Sequence, residues 1–295
     1  MGRALIAGYV ADAALGDPDR WHPVAGFGRI AMALEQTVYA PSRVRGAAFA
    51  LSLAGGATVI GGALGRPWPL RAALVWAALG GRSLVAHACA IASALDRGEL
   101  ETARAALPAL AGRDPELLDE RGIARAVAES LAENTGDAVV GPLVWGALAG
   151  PPGVAAYRAV NTLDAMFGHR SERYQQFGWA AARLDDLVSW PGARLGALLA
   201  VGCAPVVGGS SVAAWKVLRR NGASHPSPNA GQLEAAFAGA LDVTLGGPLS
   251  YGGRSEIRAA LGDGARPDTG DIRRAARLST AVGITATALC AAVAR

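Results

Sequence analysis

Four stretches of this chain, residues 46–65, 138–157, 195–215 and 278–294, contain no ionisable acid or base. A run of about 18 or more apolar residues is long enough to cross a hydrocarbon core as a helix. A fifth run, 69–95, is interrupted only by Arg71, Arg82 and His87. In lipid every backbone polar group must be satisfied internally, so only helices or a closed barrel can span. Strand-like alternation is scarce, which leaves helices. The expectation is an all-α, polytopic integral membrane bundle with broken or re-entrant helices and cytoplasmic polar loops, one membrane-embedded domain over 1–295. The runs are rich in Ala and Gly and modest in Leu, so each alone is a weak insertion signal. Buried helices of a large soluble α-protein are the competing reading. Composition weighs against that: 18% of residues are charged, where a soluble domain carries about 25%, and mean hydropathy is +0.26.

Residues 3–16 read as a short apolar helix closed by Gly16-Asp-Pro18, followed by a polar loop to Arg45. The run 46–65 is the best spanning helix, and its small residues four apart (Ala57/Gly61, Thr58/Gly62) let another helix approach closely. Arg66-Pro-Trp-Pro69 is a tight turn that sends 69–95 back antiparallel, and 96–119 is a polar connector. A helix over 120–137 carries Glu129, Glu133 and Asp137 every four residues on one face. If that face and residues 158–194 act on one substrate, they lie on one side of the membrane, and a single crossing by 138–157 would separate them. Pro142 and Gly150-Pro-Pro-Gly153 predict a re-entrant hairpin or a buried, broken helix there. The run 195–215, with Pro205 and Gly208-Gly209, meets the same constraint, whereas 278–294 can cross freely.

The net charge of +4 comes almost wholly from arginine, with Lys216 the only lysine. No aromatic residues alternate with the arginines, so no nucleic-acid stripe is expected. Loops facing anionic lipid and phosphorylated substrates fit better. Cys89, Cys203 and Cys290 stand singly in apolar runs, as small buried hydrophobes of a reducing compartment. The N-terminal run, ended by Asp12, is expected to be retained.

Carboxylates are expensive beside apolar segments, and four dense polar clusters occur between residues 129 and 194. Glu129, Glu133 and Asp137 would repel one another unless a cation sits between them. They suit magnesium, or else a solvated face paired with Arg121 and Arg125. Asn161 and Asp164 extend the same oxygen-rich wall, or cap the next turn. Arg170, Arg173 and Arg183 could grip phosphate or carboxylate, or lie as loop charges against lipid. Asp185-Asp186 is a carboxylate pair suited to a metal or an ammonium, and adjacent acids also commonly start a helix. Arg194 opens an apolar run and fits a snorkelling anchor equally well. Asn229 with Gln232 has the spacing of a capping box, and the same helix start offers amides to a phosphate. His225 is either a general base or cobalt-side contact, or a structural hydrogen-bonder. Residues 245–254 form a glycine loop ending in Arg254, suited to close approach of a ligand. No Walker A, Gly-x-Gly-x-x-Gly or Gly-x-Ser-x-Gly motif occurs, so a nucleotide site would not be a P-loop.

Taken in order, these residues resemble the adenosylcobinamide-phosphate synthase family of cobalamin biosynthesis, the CobD/CbiB type. The resemblance runs through Gly16-Asp-Pro18, His22-Pro23, Gly26-Phe-Gly-Arg29, Glu129-Ser-Leu-Ala-Glu-Asn134 and Ala156-Tyr-Arg-Ala-Val-Asn-Thr-Leu-Asp-Ala-Met166. It continues in Phe177-Gly-Trp-Ala-Ala-Ala-Arg-Leu-Asp-Asp186, Pro191-Gly-Ala-Arg194, His225-Pro-Ser-Pro-Asn-Ala-Gly231, Ala236-Phe-Ala-Gly-Ala-Leu241 and Leu245-Gly-Gly247. Val188-Ser-Trp190 and the glycine of Pro191-Gly-Ala-Arg194 depart from the commoner forms.

The resemblance implies a multi-pass cell-membrane enzyme with a cytoplasmic active face. It implies the ATP- and magnesium-dependent joining of adenosylcobyric acid to aminopropanol or its phosphate. In that picture Glu129, Glu133 and Asp137 hold magnesium, with Asp164 beside them. Arg170, Arg173 and Arg183 neutralise the phosphoryl group, and Asp185 or Asp186 takes the ammonium proton. His22, Asn134, Asn161, His225, Asn229, Gly246 and Gly247 line the nucleotide and corrinoid sites. Partners are these small molecules and the bilayer; a homo-oligomer and other cobalamin-pathway enzymes are compatible with it. The rival from another class is a non-catalytic membrane sensor, from a superfamily branch associated with β-lactamase regulation, which should lack the acid–arginine constellation. A transporter would need polar residues within its spanning helices, whereas 46–65 and 278–294 have no charges.

Overall fold

The computed structural model describes residues 1–18, 21–169, 171–251 and 254–294. In chain order the helices are α1 (Gly2–Leu15), α2 (Pro23–Val38), α3 (Arg43–Leu64), α4 (Trp68–Ala78), α5 (Gly81–Asp96), α6 (Leu100–Ala106) and α7 (Glu120–Thr135). A π-helical turn, Gly136–Val140, leads into α8 (Gly141–Phe167). Then come α9 (Tyr174–Phe177), α10 (Trp179–Val188), α11 (Trp190–Cys203), α12 (Ser211–Asn221) and α13 (Ala230–Leu241). A hairpin of β1 (Leu245–Tyr251) and β2 (Arg254–Leu261) precedes α14 (Thr269–Val293). Five helical spans, Arg43–Leu64, Trp68–Asp96, Glu120–Phe167, Trp190–Val207 and Thr269–Val293, are long and apolar enough to cross a membrane. The helical architecture expected from the uncharged runs is the one found. Two differences stand out: residues 23–38 of the expected polar loop are helical, and the glycine loop begins a strand.

The chain divides into two compact units: Met1–Gly80 with Asp137–Gly192 and Thr287–Arg295, and Gly81–Gly136 with Ala193–Ala286.

In the first unit α3 packs along α8. Ser42 starts α3 by accepting the Arg45 amide on its hydroxyl at 3.5 Å. Gly61 faces α8 so closely that a Cβ there would lie 2.6 Å from the Ala155 Cβ and 2.9 Å from the Pro151 carbonyl oxygen. That is the close approach the small-residue spacing predicts. Helix α8 is broken at Gly150, whose φ of 65° and ψ of −154° are open only to glycine. Pro151 and Pro152 restart it, because proline is tolerated in a first helical turn, where the missing N–H has no partner. Phe49 anchors the core of this unit, edge-on to Phe167 at 5.5 Å and tilted on Phe177 at 5.1 Å. Val44, Leu51, Val59 and Ile60 of α3 stay exposed, the outward apolar face that a lipid environment accommodates.

In the second unit α13 is buried along almost its whole length and packs on α7 and α12. Its residues are mostly Ala and Gly, which permits the approach: a Cβ on Gly239 would lie 2.7 Å from the Ala214 Cα. Asp119 caps α7 by accepting the Gly122 amide at 2.7 Å. The hairpin carries a register shift between Leu245 and Gly247, with Gly246 and Gly247 at φ of 79° and 88°. This is a bulge built on left-handed glycines, which frees an amide from the ladder.

Candidate active site

The second unit gathers a charged cluster around α7. Glu129 and Arg113 are both buried and form an ion pair. The other Glu129 oxygen, Oε1, accepts the amide of Gly246 at 2.7 Å, the amide the bulge releases. Arg125, one turn before Glu129, donates to the carbonyls of Gly246 at 2.5 Å and Pro248 at 2.6 Å. Glu133 lies one turn further along α7, accessible to solvent although densely surrounded by protein, with Arg113 and Arg258 acting on its charge.

Opposite α7, the buried Glu234 of α13 is the only charged residue of its helix. Its carboxyl is pushed up to about 8, first by burial and then by the charge on Glu133, against the opposing pull of Arg258 and Arg113. His225 Nε2 lies 3.7 Å from Glu234 Oε1 and 3.0 Å from Arg258 Nη1. The Ser227 amide donates to His225 Nδ1 at 3.0 Å. Arg194 donates to Asn229 Oδ1 at 2.6 Å. The expected capping box at Asn229 is therefore not formed: Asn229 makes no side-chain cap bond. The Ser227 hydroxyl accepts the Asn229 and Ala230 amides instead, and Gln232 donates to the Gly222 carbonyl. Asn134 donates back to the Ser130 carbonyl at 3.0 Å.

The first unit holds a second polar network. Arg158 donates to Asn161 Oδ1 at 3.3 Å, Asn161 to Asp185 Oδ1 at 3.4 Å, and Ser189 to the same Asp185 oxygen at 3.3 Å. The buried Tyr157 hydroxyl donates to the Asp137 carbonyl at 3.2 Å. Asp17 and Asp137 both act on Arg158, and His22 Nε2 lies 3.5 Å from Asp17 Oδ1. Burial lowers the His22 pKa, and Arg158 adds to that effect while Asp17 opposes it. Asp164 lies on α8 beyond Asn161, and a side chain on Gly168 would run into its carboxylate.

Several expected partners are engaged elsewhere. Arg173 donates twice to Glu35 Oε1, at 2.8 and 3.2 Å, and lies 4.0 Å over the Tyr39 ring. Arg183 pairs with Asp186 at 2.9 Å on an exposed face of α10. Asp185 and Asp186 therefore turn to different partners, as adjacent helical positions do. Arg170 lies outside the described residues. Of the three acids expected at magnesium, Glu129 has both oxygens engaged. One Glu129 oxygen is neutralised by Arg113 and the other is held by an amide, while Asp137 falls in the π-helical turn, where the four-residue register of α7 ends. Among the described residues no group of three or more His, Cys, Asp or Glu side chains could hold a metal ion.

Arg113, Arg125, Glu234 and Arg258 were not singled out as site residues from the sequence. Glu234 had a readable signal, a lone carboxylate in a helix otherwise made of Ala, Gly, Leu, Phe and Gln. Arg113 and Arg258 had none, because they reach the cluster from a connector and from a strand.

The profile of a family described as CobD/Cbib protein matches residues 5–279. A "Cobalamin biosynthesis protein CobD" of Mycobacterium tuberculosis is 53% identical over 284 residues, 94% of this chain and 91% of the relative. Proteins of the same name from Chromobacterium violaceum and Rhodobacter capsulatus are 43% and 42% identical, each covering 90% of this chain and 88% and 87% of their own length. No solved structure matches the chain.

Proposed function

The chain belongs to the CobD/Cbib family, and on that premise we propose that it is a cobalamin-biosynthesis ligase of the cell membrane. It joins the carboxyl of adenosylcobyric acid to the amine of aminopropanol or its phosphate, with ATP as the activating substrate. The observation that carries the reading is the cluster of Arg113, Glu129, Glu133, His225, Glu234 and Arg258, which runs from accessible surface to interior. An unactivated carboxylate is a poor acyl donor. Attack of its oxygen on the terminal phosphorus of ATP releases ADP and leaves an acyl phosphate. The amine then forms the C–N bond, phosphate departs, and one proton is lost from nitrogen.

Such a sequence needs cations where negative charge gathers and an acceptor for the proton. Guanidiniums beside acids in a poorly solvated cluster supply both. Arg113 and Arg258 stabilise oxygen charge, and Glu133, the accessible acid of the cluster, takes the proton. The reacting groups face the cytoplasm in this reading, where ATP is available.

The test is amide formation by the full chain, purified in detergent, from adenosylcobyric acid, ATP and either amine. ATP-dependent product is expected. A folded sample that binds corrinoid but forms no product with either amine would overturn the assignment.

A further inference from the structure

We propose that Arg113, Arg258 and His225 form a seat for one carboxylate of a substrate in the second unit. Arg113 is 7% exposed and spends one terminal nitrogen on Glu129, but among the described residues its Nε and Nη1 meet no hydrogen-bond acceptor. A buried donor left unpaired loses its bonds to water with nothing in return. Two on one guanidinium, beside an accessible acid, mark a place where acceptor oxygens belong. The cluster runs from accessible surface to interior: Glu133 is exposed, His225 and Arg258 are half-buried, and Arg113 and Glu234 are buried.

Charge selects the ligand. Arg113, Arg125 and Arg258 carry three positive charges, and Glu129 and Glu133 supply two negative ones. Glu234 stays protonated at neutral pH, so the guanidiniums outnumber the acids even with both ionised, and the cluster calls for an anion. A carboxylate brings one negative charge, whereas a phosphate dianion would bring two into a poorly solvated place. Planar carboxylates also suit the guanidinium fork. Naming the occupant as the acyl-donor carboxyl rests on the ligase reading; the anion seat itself does not.

Thermal unfolding of the full chain in detergent, followed by tryptophan fluorescence at pH 7, tests the seat. Sodium propionate, sodium phosphate and sodium chloride are titrated at matched ionic strength. Propionate is expected to raise Tm saturably, above chloride and at lower concentration than phosphate. Arg258→Gln leaves the Arg113–Glu129 pair intact and should weaken the propionate effect about tenfold, which corresponds to roughly 1.4 kcal/mol. Arg113→Gln should abolish it if the variant folds. No shift beyond chloride, tighter binding of phosphate, or an unchanged response of Arg258→Gln would each overturn the seat. Saturable propionate binding in a protein that forms no amide would support the seat and sink the ligase reading instead.

Discussion

Glu129 accepts the amide of Gly246 at 2.7 Å, a bond between positions 117 residues apart. It is possible because Gly246 takes a φ of 79°, which turns the amide out of the hairpin ladder toward α7. Arg125 grips the carbonyl of the same residue, so the root of the hairpin is held from both sides. Gly246→Ala meets two obstacles, a left-handed backbone and an overlap of its Cβ with the Ala259 carbonyl oxygen. The backbone strain alone costs about 1–3 kcal/mol. A clear fall in Tm is expected, and an unchanged Tm would show that the bulge is not formed.

Glu129→Ala should be more damaging than its effect on the hairpin suggests. Breaking a buried pair by removing one partner leaves the other charge uncompensated, at about 3–5 kcal/mol. Arg113 is that partner. Glu129→Gln keeps an acceptor for Gly246 but not the charge, so its loss of stability should be intermediate. Denaturant titration of the three proteins reads the order directly; equal stabilities would remove the pair from the structural core.

Glu234 predicts an unusual pH dependence. Its carboxyl rises in the fold from an ordinary value of 4.5 to about 8, by burial first and then by the charge on Glu133, with Arg258 and Arg113 opposing. Between those values the folded protein holds a proton that the unfolded chain has released. The favourable contribution is therefore complete below about 4.5 and is lost as pH rises through 8. Glu234→Gln should flatten that part of the Tm–pH curve and make the variant the more stable protein at pH 8.5. Parallel curves for the two proteins would contradict the assignment.

The sequence carries some of this plainly and hides the rest for identifiable reasons. Uncharged runs specify spanning helices through the cost of burying charge in lipid, and Gly150-Pro-Pro-Gly153 marks the break in α8 because only glycine takes its dihedral angles. Asn161 and Asp185 are brought into one network, as their chemistry suggests. The spacing of Glu129, Glu133 and Asp137 says which way side chains start out on a helical face and not what they meet. Arg113 meets Glu129 from a connector with no periodicity to read. The strand at 245 is hidden by its glycines, which weaken strand propensity and are present for the bulge.

Asp119 caps α7, the helix that carries the charged cluster. Its carboxylate is held below the usual range chiefly by the Gly122 amide, with Arg266 contributing. A lowered carboxylate contributes stability above its unfolded value, and that contribution is lost as pH falls through the folded one. Asp119→Ala should cost about 1 kcal/mol near neutral pH, and Asp119→Asn, which caps nearly as well, much less. The gap between Asp119→Ala and the parent should close in acid; a gap independent of pH would point to packing instead.

Arg183 separates surface from site most cleanly. Its pair with Asp186 is exposed and three residues apart on one helix, an arrangement worth at most about 1 kcal/mol. Arg183→Ala should therefore leave Tm nearly where it was. If Arg183 swings from Asp186 to the phosphate of the incoming amine, the variant loses a charge-assisted hydrogen bond worth about 1.5–3 kcal/mol. KM for aminopropanol phosphate should then rise about tenfold or more, with KM for unphosphorylated aminopropanol unchanged. Equal effects on both amines would place the arginine's role in the fold, and no effect on either would remove it from the site.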